Sequence, residues 1–470
     1  MPASIKELTN AANVLRQAGQ FDEAIDRYAA IVPLAPDNPV LVHNLAAALG
    51  DAGRHSEAIA YSDVAISMGL FAPATFLVRA RALLALGRIA ESASAYREAL
   101  LRAPADSKIH REYAQLIWMD TGDRDRAVSA LNSAIAAHPH VLDLQLVLAH
   151  IIGQSGDAAE EYEMVRRIKD RHPQSMELSI AATNSSLAAG DYESALSFAR
   201  QAAEAKPEEP ACLQALSRAL LAVGEAGEAE LIISRLRLKF PNDQFLIALL
   251  ATAWRILGRE QYHLLYDYDR FLMSAELSRP AGWARLDDYL QDLESTLDRR
   301  HQFHCHPFGL SLRNGAQLPS IDQIDEPATR ALPEALREPI AGILDRIGRG
   351  DDPLTSRNLG GARLFSIWSV RLRRAGHHVS HVHPQGWISS ACHLRFPTSS
   401  GSADKQGWMK FGDPGVPTAP ALTAERFVEP KRARIVFFPS YLWHGTIPFD
   451  DESSRLTFAF DLVPSEAIAI

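Results

Sequence analysis

Two histidines at alternate positions in HVHPQGWIS, His381 and His383, and a third in FFPSYLWHG, His444, are the side chains best suited to hold a metal. On an extended strand, residues two apart project to one face, so the first two rings can point at one place. His444 lies 61 residues beyond His383, after a strongly apolar run that would carry it back beside the pair. Three imidazoles meeting inside a β-barrel suit a borderline first-row metal with positions left open for substrate and oxygen. Eleven residues past His444 comes Arg455, in RLTFAFD, where Arg455 and Thr457 share one strand face and Leu456, Phe458 and Phe460 the other. An arginine on the inner face of an apolar barrel needs an anion, because burying it unpaired is very costly. A carboxylate ligand would satisfy it with two parallel hydrogen bonds.

Other residues compete for these roles. Asp404 and Asp413 lie on glycine-rich stretches and could bring a carboxylate to the metal in place of His383, although turn chemistry accounts for both. His378, three residues before His381, ranks behind His383 as a ligand. RHQFHCHPF gathers His301, His304, Cys305 and His306, but no second Cys or His pair at zinc-site spacing follows, so it reads as a loop. In SLRNGAQ, Arg313 and Gln317 flank Gly315 in a stretch that resembles a family element lining a substrate mouth, with a structural turn as the equal alternative, and Trp387 is the third mouth candidate. For Trp387, Trp408 and Trp443, core packing that walls the cavity from water is the simpler account, and Lys410 receives no role.

Short strands must position these groups. LFSIWSVRL (364–372), WISSACHLRF (387–396), RIVFFPS (434–440) and RLTFAFDLV (455–463) are β-branched or aromatic and bounded by Gly, Pro, Asp or Ser. They predict a β-sandwich or barrel, a jelly roll among the choices. RLRR at 371–374 then reads as a strand alternating Arg371 and Arg373 with Leu372, not as a nucleic-acid patch.

The first 277 residues follow another rule. Glycines stand at 19, 53, 87, 122, 156, 190, 224 and 258, a period of 34 broken once by 35, and prolines follow six of them at 36, 104, 139, 173, 207 and 241. Ala24, Ala58, Ala127, Ala195 and Ala229 sit five residues after their glycines. A small residue lets two helices approach, glycine turns the chain and proline ends the second helix. Each unit is therefore a helical hairpin, and about eight of them should stack into a right-handed superhelix with a concave inner face. The expected organisation is a solenoid over 1–277, a helical connector over 278–300 and a β domain over 301–470. Helical spacing is expected to continue through 261–280 and on to about 300.

Composition agrees with a folded, multidomain chain: 470 residues, 47% hydrophobic and 22% charged. A net charge of -9 gives no general attraction to nucleic acid or anionic lipid. Three scattered cysteines, no leader-like N-terminus and no apolar run of membrane-spanning length point to the cytoplasm.

The glycine, alanine and proline positions resemble the tetratricopeptide repeat over about eight units. HVHPQGWISS, GWMKFGDP, FFPSYLWHGTIPF and RLTFAFDLVP, with YDYDRF and SLRNGAQ upstream, resemble the 2-oxoglutarate and iron(II)-dependent oxygenases that carry N-terminal tetratricopeptide repeats. The likeness covers roughly 261–470. It implies a multidomain α + β chain whose C-terminal domain is a double-stranded β-helix. It also implies Fe(II) on His381, His383 and His444, and 2-oxoglutarate held by Arg455 with the Thr457 hydroxyl nearby, with no catalytic side chains beyond the metal ligands. The wider superfamily has Asp or Glu where this chain has His383, and a neutral ligand there leaves the iron centre one charge more positive. Cys392 and His393 stand where the resembling sequences tend to have aromatics, so a tyrosine hydroxyl that steadies the co-substrate is absent.

The implied activity is a dioxygenase that hydroxylates a protein, peptide or small-molecule substrate, with molecular oxygen consumed and protein or peptide partners on the concave face. Two rival readings remain: a tetratricopeptide scaffold with a degenerate β domain, and a three-histidine cupin-like dioxygenase that does not use 2-oxoglutarate.

Overall fold

The computed structural model describes residues 4–397 and 404–469. Two compact units divide the chain, Met1–Ile151 and Ile152–Ile470.

The first unit is built of helical hairpins. Ile5–Gln17 pairs with Phe21–Ile31, Pro39–Asp51 with His55–Ser67, Pro73–Ala85 with Ile89–Arg102, and Ser107–Thr121 with Arg124–Ala137. The alanines five residues after the glycines have vanished from the surface, Ala24 and Ala58 completely and Ala127 to 1% exposure. Such burial admits no larger side chain without pushing the helices apart. Gly122, at φ 68°, ends its helix in the left-handed conformation, which costs glycine nothing.

The second unit begins with the same architecture. Ala158–Arg171, Met176–Ala189, Tyr192–Ala205, Pro210–Val223, Ala226–Lys239 and Gln244–Leu257 follow one another with left-handed glycines at 190, 224 and 258. After Gly258 the pattern changes. Only Gln261–Leu265 and Tyr268–Phe271 are helical, and the chain then becomes strand β1, Met273–Glu276. The expected continuous helix through 280 is therefore corrected. Aromatic side chains explain why: Tyr266 donates to the Tyr441 carbonyl at 3.1 Å, and Phe271 and Met273 are buried. The segment is committed to the β domain rather than to an eighth full hairpin.

The remaining strands are β2 (Leu312–Pro319), β3 (Gly361–His378), β4 (Ile388–Arg395), β5 (Met409–Phe411), β6 (Arg426–Val428), β7 (Arg434–Pro439), β8 (His444–Thr446) and β9 (Arg455–Ser465). They form a six-stranded sheet, β1-β7-β4-β9-β3-β2, and a three-stranded sheet, β6-β5-β8, antiparallel throughout. This two-sheet arrangement is the jelly roll among the choices the strand pattern left open, and it agrees with the double-stranded β-helix that the resemblance implies. Helix Leu286–Arg300 flanks the large sheet, and its Asp298 meets Arg395 at 3.0 Å and Arg371 at 3.4 Å. Arg371 and Arg373 also donate to the carbonyls of His301 and His304, so the basic run is spent inside the fold.

The repeats and the β domain of this unit are joined through specific bonds. Trp443 donates to the Thr252 hydroxyl at 2.9 Å, and Arg255 donates to the carbonyls of Gly412 and Thr423 while pairing with Glu425. Long-range contacts of this kind fix the barrel's loops against the last repeat helices.

Candidate metal centre and co-substrate pocket

β3 ends at His378, and the segment that follows returns to β8 through a single antiparallel bridge between His381 and His444. The His381 amide donates to the His444 carbonyl at 2.9 Å, and the His444 amide returns the bond at 3.1 Å. The two histidines of HVHP are thus not on a regular strand, as expected, but in the bridge and turn that precede β4. Pro384 carries no amide hydrogen and a turn follows, so the ladder cannot continue. The rings converge nonetheless. Their centroids lie 4.2 Å apart for His381 and His444, 5.0 Å for His383 and His444, and 5.1 Å for His381 and His383.

Each ring is held through Nδ1. His381 Nδ1 bonds the Val379 carbonyl at 2.9 Å, His444 Nδ1 the Leu442 carbonyl at 2.9 Å, and His383 Nδ1 the Asp461 carboxylate at 2.7 Å. All three partners are acceptors, so the proton belongs on Nδ1 and the lone pair on Nε2. Burial, followed by the neighbouring His383, pushes the His381 pKa down to about 3. Burial also holds His444 well below the ordinary imidazole range. Both are neutral at pH 7. His381 Nε2 and His383 Nε2 stand 3.2 Å apart. Two lone pairs facing one another at that distance repel unless a cation lies between them, and three imidazoles form a donor set for a first-row metal. The residues fit such an ion.

Among the described residues, His381, His383 and His444 form the group whose candidate ligand atoms all lie within 4.8 Å of one another. Neither aspartate considered as an alternative belongs to it. Asp404 is exposed, and Asp413 is engaged by Ser380 and Lys410. His378 is near but separate: its Nδ1 meets Ser311 Oγ at 2.9 Å, and the same hydroxyl reaches His381 Nε2 at 3.2 Å.

The group opens on a cavity of about 920 Å³ whose lining includes Arg455, Thr457, Ala459 and Asp461, the inward face of β9. Arg455 is 3% exposed. Its guanidinium donates to the Gly407 carbonyl at 3.0 Å and to His393 Nε2 at 2.8 Å, while Nε has no partner. No carboxylate among the described residues pairs with it, and burial lowers its pKa to about 10. A buried guanidinium with an orphaned N–H and no counter-charge is a socket for an anion. The residues fit the distal carboxylate of a dicarboxylic co-substrate.

Arg313 and Gln317 line the same cavity. Trp387 does not, which is a correction: it is fully buried and donates from Nε1 to the Leu354 carbonyl at 2.8 Å, so it is a core residue beneath the turn. Cys392 is likewise fully buried. Of the histidines in 300–308, His301 is buried against Ser369 Oγ at 3.0 Å, and the segment is a loop.

Two residues escaped the sequence reading. Asp461 continues the period-two face of Arg455 and Thr457, so that alternation could have found it. Its carboxylate orients His383 and accepts from Ser389 Oγ at 2.7 Å. His393, opposite Thr457 in register, meets Arg455; only the strand pairing reveals that.

Comparison with known families agrees with this geometry. The family model described as "Putative 2OG-Fe(II) oxygenase" matches residues 366–461, from the middle of β3 to Asp461. Tetratricopeptide-repeat models match residues 9–73, 77–140 and 186–253. The chain joins tetratricopeptide repeats to a domain of the 2OG-Fe(II) oxygenase family. No curated protein matches it. Solved structures similar to this chain include a tetratricopeptide repeat protein from Parabacteroides merdae, at 16% identity and TM-score 0.38, covering 53% of this chain and 98% of that one. They also include MamA, at 15% identity and TM-score 0.29, covering 34% and 94%. A third is YrrB, described as a TPR protein with an unusual peptide-binding site, at 13% identity and TM-score 0.27, covering 40% and 96%. Among the described residues, no helix is long and apolar enough to cross a membrane.

Proposed function

We propose that the C-terminal domain, within 301–470 and the edge strand that precedes it, is an Fe(II)- and 2-oxoglutarate-dependent hydroxylase. The repeats within 1–277 would bind a protein or peptide partner or substrate. The observation that carries this reading is the pairing of two sockets on one cavity wall: converging imidazole nitrogens that call for a cation, and a buried guanidinium that calls for an anion.

In this assignment His381, His383 and His444 hold the iron through Nε2, and Asp461 keeps His383 in the tautomer that leaves Nε2 free. Arg455 binds the distal carboxylate of 2-oxoglutarate, aimed by His393 and the Gly407 carbonyl, and Thr457 offers its hydroxyl to the same group. Met409, Phe438 and Ile367 line the cavity and exclude water from it. When bound, iron and co-substrate would supply the oxidising chemistry, in which oxygen is consumed, 2-oxoglutarate is converted to succinate and carbon dioxide, and a substrate C–H bond is hydroxylated. The three free thiols, Cys212, Cys305 and Cys392, support a reducing compartment, and we place the protein in the cytoplasm.

Titrating anaerobic protein with Fe(II) and then with 2-oxoglutarate tests the reading. Sequential binding of both is expected. Because all three candidate ligands are histidines, a three-histidine oxygenase that dispenses with 2-oxoglutarate is the second reading; metal binding without co-substrate binding would favour it. Binding of neither would leave a scaffold.

A further inference from the structure

The metal and co-substrate assignments leave one arginine of the cavity wall without a task. Arg313, half-buried on β2, donates from Nη1 to the carbonyls of Leu310 at 2.7 Å and Leu312 at 2.8 Å. Both bonds use one nitrogen, so Nε and Nη2 remain available for a planar, two-bond contact. No acidic residue among the described residues pairs with it, and burial lowers its pKa.

Its placement is built into the strand. Register between β2 and β3 shifts at Arg313 and Gly315, with Asn314 at φ 51° between them. A bulge of this kind turns a side chain away from the direction the ladder would give it. At Gly315 the strands are too close for anything larger, since a Cβ would stand 2.5 Å from the Arg371 carbonyl oxygen. The bulge sets Arg313 opposite His377, one position along from the pairing of Leu312 with His378. Two residues earlier, Ser311 touches both His378 and His381. Arg313 therefore lies on the strand that starts next to Ser311 and lines the same cavity as the metal group, on a strand other than the one that carries Arg455.

Charge balance supplies the rest. With iron and co-substrate bound, the dication and the dianion cancel, and of the charged side chains left on the wall the two arginines, Arg455 and Arg313, outnumber the inner carboxylate, Asp461, by one. The other acidic lining residue, Asp322, is solvent-exposed. Arg313 remains as a single positive charge facing the cavity. One guanidinium with two free N–H directions matches one carboxylate, whereas a phosphate dianion would leave negative charge in excess.

We propose that Arg313 binds a carboxylate of the substrate, so that the cavity selects acidic substrates: an acidic residue of a peptide, or a small free acid. This rests on the reading of the site as a 2-oxoglutarate oxygenase. Gln317 on the same strand lines the wall, as does Gln154, whose Oε1 is fixed by the Gly309 amide at 3.0 Å, and their amide groups suit the polar atoms flanking such a carboxylate.

The test uses the full chain loaded with Zn(II) and saturating 2-oxoglutarate, so that nothing turns over. Ligand-observed NMR measures binding of N-acetyl-glutamate methylamide against its glutamine counterpart, and of butyrate against butyramide. Each acid should bind at least about tenfold tighter than its amide, a preference lost in Arg313→Gln and partly kept in Arg313→Lys. Capped glutamate binding better than butyrate identifies a peptide source; equal binding identifies a free acid. Equal binding of acid and amide by the unaltered protein, which requires no variant, overturns the proposal, as does undetectable acid binding. Acid binding that survives in Arg313→Gln also overturns it. Loss of 2-oxoglutarate binding in Arg313→Gln would move the arginine to the co-substrate and overturn it, while failure of the unaltered protein to bind 2-oxoglutarate at all would strike the oxygenase reading itself.

Discussion

Replacing Arg455 with methionine should remove co-substrate binding while leaving the fold almost as stable as before, and the structure gives the size of both effects. Burial brings the guanidinium pKa from its ordinary 12.5 to about 10. For a base, a folded-state value below the unfolded one means that the charged form disfavours folding, so the cost is complete at pH 7 and fades only above pH 10. A shift of that size corresponds to about 3 kcal/mol. Methionine relieves it but strips the donor from the Gly407 carbonyl and from His393 Nε2, at about 1–3 kcal/mol each. The terms oppose one another, and the metal-loaded variant should unfold within about 3 kcal/mol of the parent.

Co-substrate binding has no such compensation. Two charge-assisted hydrogen bonds to a carboxylate are worth about 3–6 kcal/mol, so affinity for 2-oxoglutarate should fall by at least about 100-fold. At a concentration 100 times the parent's Kd, 2-oxoglutarate should stabilise the parent against urea by about 2.7 kcal/mol and the variant by less than about 0.5 kcal/mol. Anaerobic urea unfolding with Mn(II), with and without 2-oxoglutarate, reads both numbers. A variant that keeps the full stabilisation would refute the role given to Arg455.

Asp461→Asn, which keeps the shape but weakens the bond that orients His383, should reduce Co(II) affinity about 10- to 100-fold in a competition titration without abolishing it. The buried histidines His378, His393 and His444 sit well below the ordinary imidazole pKa and His381 at about 3, so all are neutral in the fold. The unfolded chain takes up their protons first, and metal-free protein should therefore lose stability progressively as pH falls from about 6.5 toward 3; urea midpoints that stay constant between pH 7 and pH 5 would contradict this. Trp387→Ala should cost about 3–5 kcal/mol by opening the core under the turn, in line with its burial, and a loss near zero in denaturant unfolding would return Trp387 to the surface.

The sequence exposed what repeats locally and hid what depends on distant pairing. The glycine period needed no partner to be seen, because each hairpin restates the same packing rule through residues such as Gly122 and Ala195. Strands β4, β7 and β9 were legible from their alternation to within a residue or two. Strand β1 was not, since Met273–Glu276 is a strand only by pairing with β7 more than 150 residues later, and its helix-like spacing misled. The HxH pair pointed the right way for the wrong local reason: a bridge to β8, rather than a strand of its own, gathers the rings. For Trp387 the simpler account, core packing, holds and the place at the mouth does not, because an indole beside a site in sequence can lie beneath it in space. His393 and Asp461 acquire meaning only when β4 and β9 are laid side by side.

The measurement that bears most directly on the central claim is a crystal structure of the protein grown anaerobically with Mn(II) and 2-oxoglutarate. The account predicts one ion bound by Nε2 of His381, His383 and His444, with the far carboxylate of 2-oxoglutarate on Arg455. An ion held instead by Asp413 or His378, or a co-substrate that leaves the Arg455 guanidinium unpaired, would contradict it.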